Sequence, residues 1–292
     1  MTRINFGWIV PATGIPETNG VPLAITRQDE ILPVVAKHFH SLWVFDHFYG
    51  FRQPTDAYLE SWSTLTWPAA RFPQVMVGTI VLGVGYRHPP LLAKMSVSLQ
   101  ALCEGRLILG IGAGWRTEEY DAYGYPFPKP AVRVKQLEEA VTIIRKMWTE
   151  TAPSFKGDYF EIERAYCPPR PKPLPPIMIG GEGEQLMLPL IARQADWWNI
   201  GPASPAEYRR KRDLLHREAE ATGRDPGEIV QTMMRNGVNL PQTTVESARL
   251  IEELQPLIDL GITYFMLDCG HVTATEPIIR FAEEVMRPLN QV

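Results

Sequence analysis

The segment PPLLAKMSVSLQALCEGRLILGIGAGW, residues 89–115, contains one helix and the strand that follows it, and it is the clearest guide to the fold. Two prolines open a helix that Gly105 ends, and four apolar residues recur along it at helical spacing: Leu92, Met95, Leu99 and Leu102. The apolar run at 106–111 then predicts a buried strand that leads into a glycine-rich turn.

The same alternation of strand and helix recurs along the rest of the chain. Apolar runs predict eight strands: residues 4–10, 41–45, 74–82, 106–111, 176–179, 196–200, 229–240 and 262–268. Helical spacing predicts the intervening helices, among them 28–39, 134–148, 185–194, 208–222, 245–260 and 276–289. Buried strands that alternate with amphipathic helices require a parallel sheet covered on its faces. We therefore predict an α/β fold, a (β/α)8 TIM barrel, with an open doubly wound sheet as the alternative.

One segment, residues 151–176, interrupts the alternation. Residues 155–160 are typical of a tight hairpin around Gly157-Asp158. The proline-rich stretch 167–176 favours an extended connector, because proline fixes φ and has no N–H for a strand ladder. We interpret this segment as an excursion within a single barrel domain that spans residues 1–292.

Composition narrows the classes of partner. The 292 residues carry a net charge of −4, and no run of Lys and Arg indicates binding to nucleic acid or to a membrane surface. The three cysteines are widely spaced and form no CxxC pair, which favours a reducing compartment. No apolar stretch reaches the length of a membrane-spanning helix, and the N-terminus lacks a signal-peptide pattern. We expect a cytoplasmic protein with a small-molecule substrate.

Three motifs lie where predicted strands end. Residues 110–115 resemble a dinucleotide-binding turn, but no third glycine stands at the required position, so either a tight turn or a close approach to a flat ring fits. Residues 180–184, Gly-Gly-Glu-Gly-Glu, precede a helix and favour a phosphate site. Asp46-His47 ends a short strand, where the pair fits either proton transfer or a packed loop. No metal-ligand spacing and no GxSxG elbow occur, so we predict no metal site.

Taken together, several segments resemble the luciferase-like oxidoreductases, in particular the branch that depends on the deazaflavin coenzyme F420. The resemblance covers roughly residues 4–200, in order and at family spacing. It rests on these segments: 43–47 (WVFDH), 87–94, 105–115, Glu119 with Tyr123-Gly124, the helix from Arg133, 155–157, 175–181 and 195–199.

The resemblance implies a cofactor that lies over the strand ends and is held by the following residues: Asp46, Ile80, Val81, Gly83, Ala113, Gly114, Glu118, Gly180, Gly181, Gly183 and Glu184. It also implies that His47 donates or accepts a proton beside the ring, with Asp46 as the second catalytic residue. The strand at 78–81 would carry a bulge, often with a cis peptide that does not involve proline. Relatives of this kind commonly form homodimers.

One position departs from the pattern of the sugar-phosphate dehydrogenases in this branch. Their catalytic carboxylate matches Trp115, and their active-site tryptophan matches Phe51. We therefore assign Phe51 and Trp115 to the substrate pocket and expect a flatter or more apolar substrate. The predicted function is hydride transfer between coenzyme F420 and a small organic molecule. The alternatives are a monooxygenase that uses reduced FMN and O2, and a non-catalytic flavin-binding protein.

Overall fold

A computed structural model of the chain describes residues 3–12, 17–18, 21–51, 53, 55–170 and 172–291. Within them, one sheet contains eight principal strands: β1 (Asn5–Ile9), β2 (Ser41–Val44), β3 (Met76–Thr79), β4 (Leu107–Gly112), β5 (Ile177–Gly180), β6 (Trp197–Ile200), β7 (Val230–Arg235) and β8 (Tyr264–Leu267). Their order is β5-β6-β7-β8-β1-β2-β3-β4, and β4 pairs in turn with β5. This is the topology of a (β/α)8 barrel, which confirms the predicted fold over the open sheet.

The helices that alternate with these strands are α1 (Leu23–His38), α2 (Ser61–Arg71), α3 (Pro89–Leu102), α4 (Thr117–Ala122), α5 (Pro130–Thr149), α6 (Met187–Gln194), α7 (Pro205–Ala221), α8 (Thr244–Asp259) and α9 (Glu276–Phe281). A π-helical turn, Ala282–Met286, and a last short helix, Arg287–Leu289, follow α9. Throughout the part of the chain that the structure describes, each helix is too short or too polar to cross a membrane. The three cysteines are free.

The chain divides into two compact units. The first comprises Met1–Val77, Asn199–Asp213 and Val230–Val292, and the second comprises Gly78–Trp198 and Leu214–Ile229. The prediction of one domain over residues 1–292 stays a prediction.

In the first unit, β7, β8, β1 and β2 lie side by side and run parallel. Their outer face packs on helices through aromatic side chains. The Phe6 ring lies 5.3 Å from that of Phe281 in an edge-on contact, and Phe39 stacks on Phe281 at 5.7 Å. All three rings are buried, so this aromatic layer joins the strands of the first unit to α9.

In the second unit, β4 pairs in parallel with β5, and Gly112 stands opposite Gly180 at the end of both strands. Helix α3 packs on α5, where the Trp148 indole donates to the Ala93 carbonyl at 3.2 Å. The predicted hairpin is confirmed: Phe155–Lys156 pairs antiparallel with Glu161–Ile162. The connector that follows contains no strand up to residue 177, as predicted, within the residues that the structure describes.

Several boundaries differ from the prediction. The strand predicted at 74–82 forms two pieces, β3 and Leu82–Gly83, because the chain bends at Ile80-Val81. The strand predicted at 229–240 ends at Arg235. Helix α2 was not predicted, since its apolar spacing is broken by Pro68 and its cap is a glutamate, Glu60, in place of the usual short polar residue.

Candidate functional site

Asp46 and His47 follow β2 after one intervening residue, Phe45, and both are buried, with 5% and 7% of their surface exposed. The Ser61 hydroxyl donates a hydrogen bond to Asp46 Oδ1 at 2.6 Å. Ser61 is the first residue of α2, whose N-terminus is capped by Glu60 through the backbone N–H groups of residues 62 and 63. The unpredicted helix α2 therefore orients the Asp46 carboxylate.

Aromatic side chains surround the His47 imidazole. The ring of Phe51 lies edge-on at 4.7 Å, and the rings of Tyr58 and Phe45 lie at 6.0 and 6.4 Å. Phe51 itself is 51% exposed. The structure thus brings together two of the predicted residues, His47 and Phe51. A buried imidazole with aromatic neighbours is held in one orientation, which suits a group that has to transfer a proton in a defined direction.

Val81 lies against the ends of β4 and β5 in the second unit. The Ile80–Val81 peptide is cis, as the family resemblance predicted. A Cβ atom added at Gly112 would lie 2.8 Å from Val81 Cγ2, and one added at Gly180 would lie 2.9 Å from both Val81 methyl groups. Only glycine leaves room for Val81 at these two positions. The backbone of Gly112 and Gly180 therefore packs directly against the half-buried Val81 side chain.

Thr79 and Gly110 hold β3 close to β4. The Thr79 hydroxyl donates to the Gly110 carbonyl at 2.7 Å and accepts from the Gly110 N–H at 3.0 Å. Thr79 has no exposed surface. Two hydrogen bonds between the same two residues set the position of β3 immediately before the cis peptide, and so they position Val81 as well.

Tyr120 fills the space that three glycines leave open. A Cβ atom at Gly83, Gly85 or Gly114 would lie within 2.8 Å of the Tyr120 side chain. Gly114 also has a φ of +78°, a conformation that side chains disfavour. Two predicted residues, Gly83 and Gly114, are thus brought together at the hydroxyl end of one buried tyrosine side chain.

The loop at 113–116, which contains Ala113 and Trp115, leads into α4. Trp115 is 65% exposed. Glu118, a predicted cofactor residue, is exposed on α4, whereas its neighbour Glu119 is completely buried. Glu119 pairs with Arg116 at 2.8 Å and accepts from the Tyr86 hydroxyl at 3.1 Å. Sequence reasoning noted Glu119 as a family residue but missed its role in this buried cluster.

The predicted phosphate site at 180–184 forms a loop and a turn ahead of α6. The helix begins at Met187, two residues later than predicted. The backbone N–H groups of Met187 and Leu188 both donate to the Gly183 carbonyl at 3.0 Å. The Trp198 indole donates to the Gly181 carbonyl at 2.8 Å and anchors the loop. Binding of a phosphate by Gly180, Gly181, Gly183 and Glu184 stays a prediction.

Within the described residues, no three His, Cys, Asp or Glu side chains lie close enough together to bind a metal ion.

Comparison with known proteins finds a matching family and several named relatives. Residues 36–253 match the luciferase-like monooxygenase family. The F420-dependent glucose-6-phosphate dehydrogenase of Kineococcus radiotolerans is 32% identical over 66% of this chain and 58% of its own. The phthiodiolone/phenolphthiodiolone dimycocerosates ketoreductase of Mycobacterium tuberculosis is 33% identical over 62% of this chain and 48% of its own. The chain spans about half the length of the curated relatives it matches.

A solved F420-dependent secondary alcohol dehydrogenase, in complex with an F420-acetone adduct, superposes with a TM-score of 0.82. The alignment covers 99% of this chain and 100% of that one at 19% sequence identity, which supports the fold alone. Since the family match extends over more than half of the sequence, this protein belongs to the luciferase-like monooxygenase family.

Proposed function

We propose that the protein transfers a hydride between coenzyme F420 and a small, uncharged organic substrate. The observation that carries this proposal is the Val81 surface, in which an apolar side chain is backed by Gly112 and Gly180 at the strand ends. A flat aromatic ring packs well on such a surface. Three sequence relatives that are 32–35% identical are named as F420-dependent enzymes, which favours a deazaflavin over FMN.

The residues at hand fit the cofactor. Its ring system is flat and carries hydrogen-bonding atoms at one edge, which suit the Asp46 carboxylate that Ser61 orients. We assign Ile80, Val81 and Gly83 to support of the ring, and Ala113, Gly114 and Glu118 to its flank. The loop at 180–184 would hold the phosphate-bearing side chain. When bound, the deazaflavin accepts or gives two electrons with one hydride.

The protein's own contribution is to orient the substrate and to move a proton. Oxidation of an alcohol to a ketone releases one proton beside the hydride, and reduction of a ketone consumes one. The His47 imidazole is the group proposed to accept or donate it, because imidazole is the side chain that most often serves as a general acid or base. Its aromatic neighbours Phe51 and Tyr58 hold the ring and keep bulk water away from it.

Phe51 and Trp115 indicate the chemistry of the substrate. Both are large, exposed aromatic side chains, so each offers an apolar face and no charge. A ketone or secondary alcohol with an apolar body suits such faces better than a sugar phosphate does. We further propose that the protein is cytoplasmic and works as a homodimer, in keeping with its free cysteines and with the family resemblance.

Titration of the purified protein with F420 and with FMN, followed by cofactor fluorescence, tests the choice of cofactor. We expect micromolar affinity for F420 and at least tenfold weaker binding of FMN. Tight FMN binding without F420 binding would replace the proposal with the FMN-dependent monooxygenase.

The role of His47 is tested with a panel of secondary alcohols and ketones. His47→Ala should lower kcat by about a hundredfold, the range expected for loss of a proton-transfer group, while F420 affinity largely survives. His88→Ala is the control, because His88 is an exposed residue at the start of α3. Equal turnover in His47→Ala and the wild type would remove His47 from the mechanism.

A further inference from the structure

We infer that Glu119 is a positioning residue for substrate selection, acting on Trp115 through Arg116. Glu119, Arg116 and Tyr86 are called the Glu119 clamp below. The role given to Trp115 rests on the proposed function, whereas the clamp itself is defined by contacts within the second unit.

The ion pair in the clamp is almost completely buried. The Glu119 side chain has no exposed surface, and the Arg116 side chain is 11% exposed. One Glu119 oxygen receives Arg116 Nη1 at 2.8 Å, and the other receives the Tyr86 hydroxyl at 3.1 Å. A buried carboxylate is tolerated only when it is paired and hydrogen-bonded, so leaving this arrangement is costly. The position of the Arg116 guanidinium is therefore tightly determined.

The backbone connects this fixed guanidinium to Trp115. Arg116 directly follows Trp115, and the Trp115 carbonyl accepts from the Thr117 N–H at 3.1 Å. The Arg116 carbonyl accepts from the Glu119 N–H, also at 3.1 Å. Gly114, on the other side of Trp115, is packed against Tyr120. Both neighbours of Trp115 are thus held by buried groups.

Tyr86 extends the clamp to the loop that follows the Leu82–Gly83 strand. Its ring stacks on Tyr120 at 4.3 Å, and Tyr120 in turn packs against Gly83 and Gly114. Arg133 lies 3.9 Å over the Phe127 ring, which contacts the other side of Tyr120 at 4.7 Å. The clamp therefore joins two loops that lie at the carboxyl ends of barrel strands, the face where barrels place their active sites.

Trp115 is 65% exposed, so its indole is available to a substrate. The clamp holds the backbone on either side of Trp115 and so helps to set where the indole stands. Loss of a contact that the substrate makes equally in the ground state and the transition state raises KM and leaves kcat nearly unchanged. Loosening the clamp should therefore weaken substrate binding while the proton-transfer group stays in place.

The experiment compares Glu119→Gln with Asp121→Asn, a control that removes one acid from an exposed position on the same helix. In Glu119→Gln we expect KM for the best ketone of the panel to rise about tenfold, with kcat changed less than about threefold. The control should match the wild type. In a Trp115→Ala background, Glu119→Gln should raise KM no further, because Glu119 acts on the substrate only through Trp115. An additive effect of the two substitutions overturns the inference.

A second readout does not require the proposed function. Trypsin cleaves after arginine only where the chain is accessible, so the bond between residues 116 and 117 should be cut much faster in folded Glu119→Gln than in the wild type. Tyr86→Phe removes the hydrogen bond from the Tyr86 hydroxyl to Glu119, and it is the variant to use if Glu119→Gln fails to fold. It should shift cleavage and KM in the same direction, by less. Unchanged cleavage and KM in a folded variant would refute the clamp. Failure of the wild type to bind F420 would refute the proposed function, and the cleavage result would still judge the clamp.

Discussion

Replacing Gly110 with alanine tests how closely β3 approaches β4. A Cβ atom at this position would lie 1.8 Å from the Thr79 carbonyl oxygen and 3.0 Å from Met178 Cε, whereas ordinary contact begins near 3.4 Å. The nearest atom belongs to the backbone, so rotation of a side chain cannot relieve the clash. To bring the Thr79 oxygen from 1.8 Å to ordinary contact distance from the new Cβ atom, the two strands would have to separate by more than about 1 Å.

The expected cost has two parts. Forcing a methyl group into a packed interior costs about 1–3 kcal/mol. Separation also weakens the two buried hydrogen bonds between Thr79 and Gly110, each worth about 1 kcal/mol. We expect Gly110→Ala to lower the free energy of unfolding by about 3–5 kcal/mol, and the midpoint temperature by about 5–8 °C.

Urea unfolding followed by circular dichroism measures this loss, with Gly201→Ala as the matched control. Among the described residues, no atom lies within 4 Å of a Cβ at Gly201, so the control should unfold within about 0.5 kcal/mol of the wild type. The reasoning fails if Gly110→Ala unfolds within 1 kcal/mol of the wild type, since the strands would then have room that the structure denies them.

Two further predictions concern single side chains. The Glu139 carboxylate accepts hydrogen bonds from the backbone N–H groups of residues 158–160 at 2.7, 3.1 and 2.9 Å. Glu139→Gln should therefore speed hydrogen exchange of that turn about tenfold. Glu138→Gln is the control; it breaks only an exposed ion pair with Arg193 and should leave the exchange rate of the turn unchanged. Equal exchange in the two variants would contradict the role of Glu139. Burial lowers the pKa of His40, so its neutral form is favoured in the folded state, and the stability it contributes above about pH 6.5 is lost as the pH falls below that value. As the pH is lowered from 7.5 to 5.5, the urea midpoint of unfolding should therefore decline less in His40→Gln than in the wild type. The control, His271→Gln, changes an exposed histidine and should decline as the wild type does. Parallel declines in all three proteins would count against a contribution of neutral His40 to stability.

Some features of the candidate site could be predicted from the sequence, and others could not. Asp46-His47 and the glycines at 110–114 stand where strands end, and strand periodicity alone places them there. The bend at Ile80-Val81 came from the family resemblance, because no local pattern in the residues indicates a cis peptide. Ser61, which orients Asp46, was missed because helix α2 was missed.

Glu118 and Glu119 show where sequence reasoning ends. The two residues are adjacent and chemically identical, and the spacing of neighbouring apolar residues does not show which of them is buried. In the folded protein one is exposed, while the other is buried between Arg116 and Tyr86. The contact with Tyr86 spans 33 residues of chain and comes from a different loop.

The sequence by itself therefore determined the class of fold and the ends of the strands at which chemistry was to be sought. The spacing of apolar residues indicates whether a segment forms a strand or a helix. Eight strand-helix repeats leave few arrangements of the chain that bury every apolar face. Only the tertiary structure decided which polar groups meet: Ser61 with Asp46, Thr79 with Gly110, and Glu119 with Arg116 and Tyr86. These pairings depend on segments brought together by packing, and a buried polar group takes whichever partner that packing supplies.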